Sequence, residues 1–217
     1  MSTPENQTAP PAPELLMNFA VPLLRLFVPN AEALNRDLKA ILLAKEKEMP
    51  ANTFGKTRSN MGGWRSNKDV LHWDEPAIKT LQNEIVKAVK LMMHNGSTFK
   101  DRAKFGGLNM VSFANINRNG SYNVTHAHAQ VHWAVVYYVE TGRPEPGYPN
   151  NGHIAFQDSR VAATGLDTPG FTFNQEFSIE PKPGMMLVFP GWLYHSVYPF
   201  FGEGERMSIA TNVKLLP

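Results

Sequence analysis

The sequence predicts a mainly β domain with flanking helices, on the basis of three observations. From Leu108 onward, short runs rich in β-branched and aromatic residues alternate with Gly, Pro and Asn, which is typical of antiparallel sandwiches and barrels. Two longer segments upstream have helical periodicity. The chain has 217 residues, which is enough for one sizeable core. We therefore expect a single β-rich domain over residues 15–217, with its helices packed on the outside.

The helices are expected at about residues 31–47 and 76–95. Apolar residues recur on one face of the first segment, and Asn30 before it is a residue type that caps helices. The second segment has an apolar stripe of the same period. Asp74 is its expected cap, and Pro76 sets the backbone of its first turn.

The remaining chain divides into a tail, a loop and strands. Residues 1–14 are polar and Pro-rich, which predicts a disordered tail. Phe19–Val28 is apolar but interrupted by Pro22, which favours a sheet edge. The segment between Thr53 and Trp73 has no clear periodicity and is expected to be a loop. Strands are expected at Asn109–Asn117, Val131–Glu140, His153–Gln157, Phe171–Ile179, Met185–Phe189, His195–Tyr198 and Met207–Lys214.

The composition excludes several classes of protein. Cysteine is absent, which rules out disulfide scaffolds, thiolate metal sites and cysteine nucleophiles. The net charge is only +2 and the basic residues are scattered, so no nucleic-acid partner is expected. No apolar run approaches the ~20 residues of a membrane span. The N-terminus also lacks the apolar core of a signal peptide, so we expect a cytoplasmic protein without a membrane partner.

The histidines indicate a metal centre. His126 and His128 are two residues apart, and in an extended chain such positions project to the same face. Two imidazoles are too few protein ligands to hold a divalent cation. The best third ligand is His195, which follows an apolar strand and a Gly–Pro turn. Three protein ligands with further positions free are typical of a catalytic metal site.

These residues carry a resemblance to a known family. The order His126-x-His128, then His195, then Arg206-x-Ser208 resembles the Fe(II)- and 2-oxoglutarate-dependent oxygenases, and is most similar to a bacterial and phage group among them. The similarity covers nearly the whole chain after the tail. It includes Trp64-Arg-Ser66, Asn115-Ile-Asn117-Arg118-Asn-Gly120, Val136-Tyr-Tyr-Val139, Gly152–Arg160 and Phe189-Pro190-x4-His195.

The resemblance implies a fold, a reaction and a set of site residues. The fold would be a double-stranded β-helix, a jelly-roll or cupin-like barrel. The reaction would be hydroxylation with Fe(II), 2-oxoglutarate and O2, giving succinate and CO2. His126, His128 and His195 would hold the iron, and Arg206 on a late strand would pair with the distal carboxylate of 2-oxoglutarate.

Further co-substrate contacts are expected on two strands. Ser208 shares a strand face with Arg206, so a hydroxyl and a guanidinium fork can meet one carboxylate. Asn115 and Asn117 share a face upstream of His126. Some members of the family have an Asn-x-Tyr pair at that distance, contacting the co-substrate, and here Asn117 replaces the tyrosine.

One ligand departs from the usual pattern of the family. The second metal ligand is generally Asp or Glu, whereas this chain has His128. A neutral imidazole leaves the site one unit more positive, which favours anionic 2-oxoglutarate and alters metal preference and reactivity. Related β-barrel dioxygenases use three histidines, so the substitution does not imply an inactive site.

Two alternatives stay open at this point. The segment Gly120-x5-His126-x-His128-x3-His132 also resembles the first cupin motif, which would add His132 as a fourth ligand of a 2-oxoglutarate-independent dioxygenase, isomerase or lyase. Arg206-x-Ser208 favours the oxygenase, because a cupin does not require it. The other alternative is a non-catalytic metal-binding barrel.

Candidates for substrate contact are residues expected at the barrel mouth. They are Trp64, Arg65, Tyr122, His132, Tyr138, Asp158, Arg160 and Trp192. The segment Thr141–Asn151 is either a lid or a surface excursion. The substrate is expected to be a small molecule or a peptide. Apolar surface at Phe200-Phe201 and Leu23–Val28 is compatible with a homodimer.

Overall fold

The computed structural model describes residues 20–49, 59–96, 105–158 and 176–217. In chain order, its elements are β1 (Leu24–Phe27), α1 (Ala31–Glu48), β2 (Asn60–Met61), β3 (Trp64–Arg65), a 3-10 helix (Val70–His72), α2 (Pro76–Gly96), β4 (Gly107–Asn117), β5 (Ser121–His126), β6 (Trp133–Pro144), β7 (Ile154–Phe156), β8 (Phe177–Ile179), β9 (Met185–Pro190), β10 (His195–Phe200) and β11 (Gly202–Leu216).

The strands form two antiparallel sheets. One sheet has the order β1-β9-β6-β11-β4-β3, and the other has the order β2-β5-β10-β7-β8. A buried apolar cluster between the sheets takes residues from both, such as Phe189 of β9 and Phe156 of β7. This is the jelly-roll, double-stranded β-helix architecture, and it confirms the predicted mainly β fold with flanking helices.

Strand β9 shows how the layers are held together. Met186 and Val188 belong to the cluster formed with the helices, whereas Met185, Leu187 and Phe189 belong to the cluster between the sheets. Because side chains alternate along a strand, β9 is covered on both faces, which explains why its sequence is an uninterrupted apolar run.

The helices lie where the sequence placed them, but their caps differ from expectation. Asn30 precedes α1 in a left-handed conformation, with φ 54°, and its side chain makes no capping hydrogen bond. Asp74 is not the residue before α2. The backbone N–H of Ile78 donates to Glu75 O, so Glu75 occupies the capping position. The prediction failed by one residue because Pro76 itself takes the first helical position.

Several strands differ from the prediction. The segment expected to be a loop contains β2 and β3, which are too short to show a period. Strand β11 begins five residues before the expected Met207. Strand β1 is an edge strand, as Pro22 suggested. Of the strand expected at Phe171–Ile179, the part up to residue 175 lies outside the described residues, as does the expected tail 1–14.

The segment Thr141–Asn151 is a surface excursion rather than a lid over the histidines. Its first residues continue β6 and pair with β11. Asn151 then binds the backbone of Phe201 twice, with its Nδ2 donating to Phe201 O at 2.7 Å and its Oδ1 accepting from Phe201 N at 2.8 Å. These bonds hold the segment against the β10–β11 turn.

Two surface features bear on partners. Phe200 is 1% exposed, so the apolar surface expected from it is absent. Its side chain is buried because β10 turns it inward, whereas Phe27 of β1 is 56% exposed. No helix in the described part of the chain is long and apolar enough to cross a membrane.

Candidate metal and co-substrate site

Three histidines meet at one end of the five-stranded sheet. His195 begins β10 and lies opposite His126, the last residue of β5. His128 follows two residues after the end of β5, and its backbone N–H donates to Gly191 O at 2.8 Å, which fixes the chain there. The ring centroids of His126 and His195 are 4.3 Å apart, and each lies 5.2 Å from that of His128. All three possible ligand atoms lie within 4.8 Å of one another, close enough to hold one metal ion.

Backbone carbonyls orient two of the three rings. His126 Nδ1 lies 2.8 Å from Val124 O, and His195 Nδ1 lies 2.9 Å from Leu193 O. A carbonyl only accepts, so each Nδ1 carries the proton and each Nε2 presents its lone pair. A histidine ligand is commonly held in this way by a hydrogen bond on its other nitrogen.

Burial keeps the imidazoles in the neutral form that binds metal. It lowers the pKa of His195 to about 3 and that of His128 to about 4, with further lowering from His126 in both cases. It lowers the pKa of His126 as well. Arg65 and Lys68 add to the effect on His128 because both are cations near its ring.

A row of polar side chains lies across the neighbouring sheet. Ser208 of β11 is paired with Asn115 of β4 on one side and with Tyr138 of β6 on the other. Arg206 lies two residues before Ser208, on the same face. All four residues line one narrow cavity, of about 50 Å³, together with the three histidines. The structure thus brings the three predicted metal ligands together with three of the predicted co-substrate residues, Arg206, Ser208 and Asn115.

The cavity is suited to a carboxylate. Arg206 is 2% exposed, and its Nε donates to Gly152 O at 2.9 Å. Its guanidinium carbon lies 5.2 Å from the centre of the Tyr138 ring. A buried cation requires a compensating anion or acceptor, and no Asp or Glu among the described residues lines the cavity.

Unpartnered polar atoms also indicate a polar ligand. Asn115 Oδ1 and the Tyr138 hydroxyl are buried without a hydrogen bond of ordinary geometry to any described residue. Burial raises the pKa of Tyr138, and the nearby Arg206 opposes part of that rise. The hydroxyl therefore stays protonated at neutral pH and is available as a donor.

Two predicted residues lie outside this arrangement. Asn117 is fully buried next to it, and its Nδ2 donates to Asn123 Oδ1 at 3.4 Å, but it does not line the cavity. His132 is exposed, and its Nδ1 accepts from the backbone N–H of Leu215 at 3.1 Å. His132 does not join the histidine cluster, so the fourth ligand of the cupin alternative is missing.

The predicted substrate contacts are dispersed. Trp64 is 4% exposed and packs among the helices, with its Nε1 donating to Met49 O at 2.9 Å. Tyr122 and Asp158 line neither the cavity nor the groove beside it. Trp192 is 52% exposed on the turn after β9. Arg160 lies outside the described residues.

The sequence reasoning missed some residues around the histidines. A groove of about 420 Å³ adjoins the cavity and shares its histidines. Lys68, Phe113 and Asn212 line this groove, and Asn212 Oδ1 has no partner among the described residues. The sequence could have predicted Asn212, because side chains alternate between the two faces of a strand and Asn212 lies on the same face of β11 as Arg206 and Ser208. Lys68 carried no signal in the sequence.

Comparison with known proteins agrees with this geometry. Residues 111–212 match the model of a family described as "Putative 2OG-Fe(II) oxygenase". That segment contains β5, β6, β9 and β10 and the three clustered histidines. No curated protein sequence matches the chain.

Solved structures of low identity share the fold. A prolyl-4-hydroxylase of Pseudomonas putida has a TM-score of 0.60 at 15% identity, over 89% of this chain and 92% of its own. The carbocyclase SnoK of nogalamycin biosynthesis, a non-haem α-ketoglutarate-dependent enzyme, has a TM-score of 0.62 at 7% identity, over 90% and 80%. A viral collagen prolyl hydroxylase of Paramecium bursaria Chlorella virus-1, solved with 2-oxoglutarate, has a TM-score of 0.55 at 13% identity, over 90% and 96%.

Residues 111–212 thus match a 2OG-Fe(II) oxygenase domain, in agreement with the resemblance seen in the sequence. Such domains are oxidoreductases whose cofactor is Fe(II) and whose co-substrates are 2-oxoglutarate and O2.

Proposed function

We propose that the protein hydroxylates a small molecule or a peptide, with iron held by His126, His128 and His195. The observation that carries this proposal is the cavity itself. One wall consists of three neutral imidazoles, and the other carries a buried guanidinium with hydroxyl and amide groups beside it. 2-Oxoglutarate has two ends that match these walls. Its 2-oxo acid end chelates a metal, and its distal carboxylate pairs with a cation.

The co-substrate contacts follow from the row of side chains. Arg206 donates to the distal carboxylate of 2-oxoglutarate, since a guanidinium fork matches a carboxylate. The Ser208 and Tyr138 hydroxyls donate to the same end of the molecule. Asn115 lies opposite Ser208 on the next strand, so its amide fixes the position of the bound chain.

Iron held by the three histidines, with 2-oxoglutarate and O2, would supply the oxidising chemistry and would yield succinate, CO2 and a hydroxylated substrate. The protein binds, orients and excludes water. Val124 O and Leu193 O hold the rings of His126 and His195 in place. Phe189 packs against His195, with centroids 4.8 Å apart, and keeps that side apolar.

The solved structures of similar fold include enzymes for both kinds of substrate, peptides and small molecules. By their names, one acts on collagen, a protein, and another closes a carbocycle in the biosynthesis of nogalamycin. Their identities to this chain are too low to choose between the two classes. The proposal therefore extends to the reaction and its co-substrate, and names the substrate only as a small molecule or a peptide.

The alternative is a three-histidine enzyme that does not use 2-oxoglutarate. Adding 2-oxoglutarate without oxygen to the Fe(II)-loaded protein distinguishes the two. We expect a weak visible metal-to-ligand charge-transfer band that saturates with 2-oxoglutarate. Intact iron binding without this band would rule out the proposal and favour the alternative.

A further inference from the structure

One amide of the site takes no part in the proposed co-substrate contacts. Asn212 lies near the end of β11 and, alone among the residues of that strand, lines both the cavity and the groove beside the histidines. His126 and His128 line both spaces as well, whereas Arg206 and Ser208 line the cavity but not the groove. Asn212 therefore lies where the two spaces meet, at the metal end of the strand.

Asn212 is too far along β11 to share the co-substrate with Arg206. The two residues are on the same face of the strand, and at a rise of ~3.3 Å per residue their backbones are about 20 Å apart. A five-carbon diacid whose distal carboxylate is held by Arg206 therefore ends short of Asn212. The amide of Asn212 is left for a different ligand, on the side of the metal that the groove approaches.

The surrounding strands offer the Asn212 side chain no hydrogen-bonding partner. Its cross-strand neighbours are Ala134 of β6 and Val111 of β4, and the preceding residue on the same face is Ala210. None of these has a polar side chain. Asn212 Oδ1 is buried without a hydrogen bond, and the amide nitrogen also has no partner among the residues that the structure describes. A buried amide oxygen without a partner costs free energy, which a ligand with a suitable donor would recover.

The chemistry of a side-chain amide indicates which group it would bind. It presents an acceptor and a donor side by side in one plane. The matching group carries an N–H and a C=O next to each other. One residue of an extended peptide has this arrangement, because its N–H and C=O point to the same side of the strand. A cyclic amide has it as well, along one edge of its ring.

We propose that Asn212 binds an adjacent N–H and C=O of the substrate and so orients the substrate at the metal end of the cavity. This inference rests on the proposed function and names the substrate class as amides, either one residue of an extended peptide or a cyclic amide in a small molecule. The substrate N–H donates to Asn212 Oδ1, and Asn212 Nδ2 donates to the substrate C=O. The groove of about 420 Å³ holds the rest of the molecule.

The test uses the full chain loaded with Mn(II) and 2-oxoglutarate, and two neutral probes. One is N-acetylglycine N-methylamide, and the other is its ester analogue, in which an oxygen atom replaces the glycine N–H. Mn(II) speeds the ¹H relaxation of methyl groups held near it, so each titration reports both affinity and location. We expect the amide to bind saturably and the ester to bind about tenfold more weakly, because the ester leaves Asn212 Oδ1 without a donor.

Asn212→Ala should abolish the preference for the amide over the ester and leave 2-oxoglutarate affinity unchanged. Asn83→Ala, the same change at an exposed asparagine of α2, should keep the preference of the wild type. A merely structural role of Asn212 would weaken both probes by the same factor, which would overturn the proposal. A loss of 2-oxoglutarate affinity in Asn212→Ala would also overturn it, by assigning the amide to the co-substrate. Wild-type protein that binds both probes equally, or neither, overturns it even where the variant does not fold.

A third probe, 2-pyrrolidone, distinguishes the two sources of the amide. This lactam presents its N–H and C=O along one edge of a ring. Binding tighter than that of the capped glycine would assign a cyclic amide, and weaker binding would assign an extended peptide. Either result supports the role of Asn212, provided that the Asn212→Ala variant loses affinity for the tighter probe.

The charge-transfer band of the Fe(II)-loaded protein tests the proposed function separately. A normal band without a preference for the amide probe overturns the role of Asn212 alone. Absence of the band, with intact iron binding, overturns the proposed function and, with it, the assignment of the bound amide to a substrate of this reaction.

Discussion

His195 lies directly across from His126 on the neighbouring antiparallel strand, and their ring centroids are 4.3 Å apart. Each donates its Nδ1 proton to the backbone carbonyl two residues before it. The two rings are therefore positioned by strand pairing and by their own main chain, and they present Nε2 to the same space before a metal binds.

We expect His126→Ala to reduce metal affinity by about 100-fold or more and to abolish turnover, because two ligands hold a divalent ion poorly. His132→Ala is the matched control, since His132 binds the backbone of Leu215 outside the cluster. Metal content after dialysis measures both. Equal metal loss in the two variants would contradict the three-histidine site.

Arg206→Ala should weaken 2-oxoglutarate binding by about 100-fold, which corresponds to the loss of charge-assisted hydrogen bonds to one carboxylate. Arg206→Lys should lie between wild type and alanine, because it keeps the charge without the fork. Titration of the charge-transfer band gives the affinity. Arg143→Ala, at an exposed arginine paired with Glu203, serves as control. Unchanged affinity in Arg206→Ala would remove Arg206 from the site.

His128→Asp should retain iron and lower 2-oxoglutarate affinity by up to about tenfold. The aspartate removes one unit of positive charge next to a dianion. His128→Ala in parallel separates loss of the ligand from change of charge. An affinity for 2-oxoglutarate equal to wild type in the aspartate variant would show that the charge of this ligand has no effect.

Gly191→Ala should destabilise the fold and weaken metal binding together. A Cβ there would lie 2.3 Å from Val131 O, and the carbonyl of Gly191 anchors the backbone of His128. Gly107→Ala makes only ordinary contacts, with Leu216 Cδ1 at 3.6 Å, and should be neutral. Thermal unfolding and metal affinity are measured on both. Normal metal binding in Gly191→Ala would show that this anchor does not position His128.

Tyr137→Phe should lower the free energy of unfolding by about 1–2 kcal/mol and leave metal binding intact. The Tyr137 hydroxyl donates to Asn35 Oδ1 at 2.6 Å, which joins β6 to α1 in the core. Removing it leaves the amide oxygen of a nearly buried side chain without that donor. Tyr148→Phe, at a 48% exposed position, is the control in urea unfolding. An equal effect in both variants would contradict this role.

Much of the fold and of the site could be predicted because the signals are local. The stripe of α2 and the apolar run of β9 follow from the period of each element alone. The spacing of His126 and His128, and that of Arg206 and Ser208, places each pair on one strand face. Strands β2 and β3 were missed because two residues show no period, although β3 carries Arg65 to the groove beside the histidines.

The sequence by itself determined the chemistry available here: imidazole ligands without thiols, a late-strand arginine with a neighbouring hydroxyl, and a mainly β framework. The tertiary structure decided which side chains meet. It placed His195 beside His126 and Tyr138 beside Ser208, turned Trp64 toward the helices, and excluded His132 from the cluster. The reason is that pairing between strands distant in the chain sets these contacts. A residue's own periodicity says which face it occupies, but not which strand lies next to it.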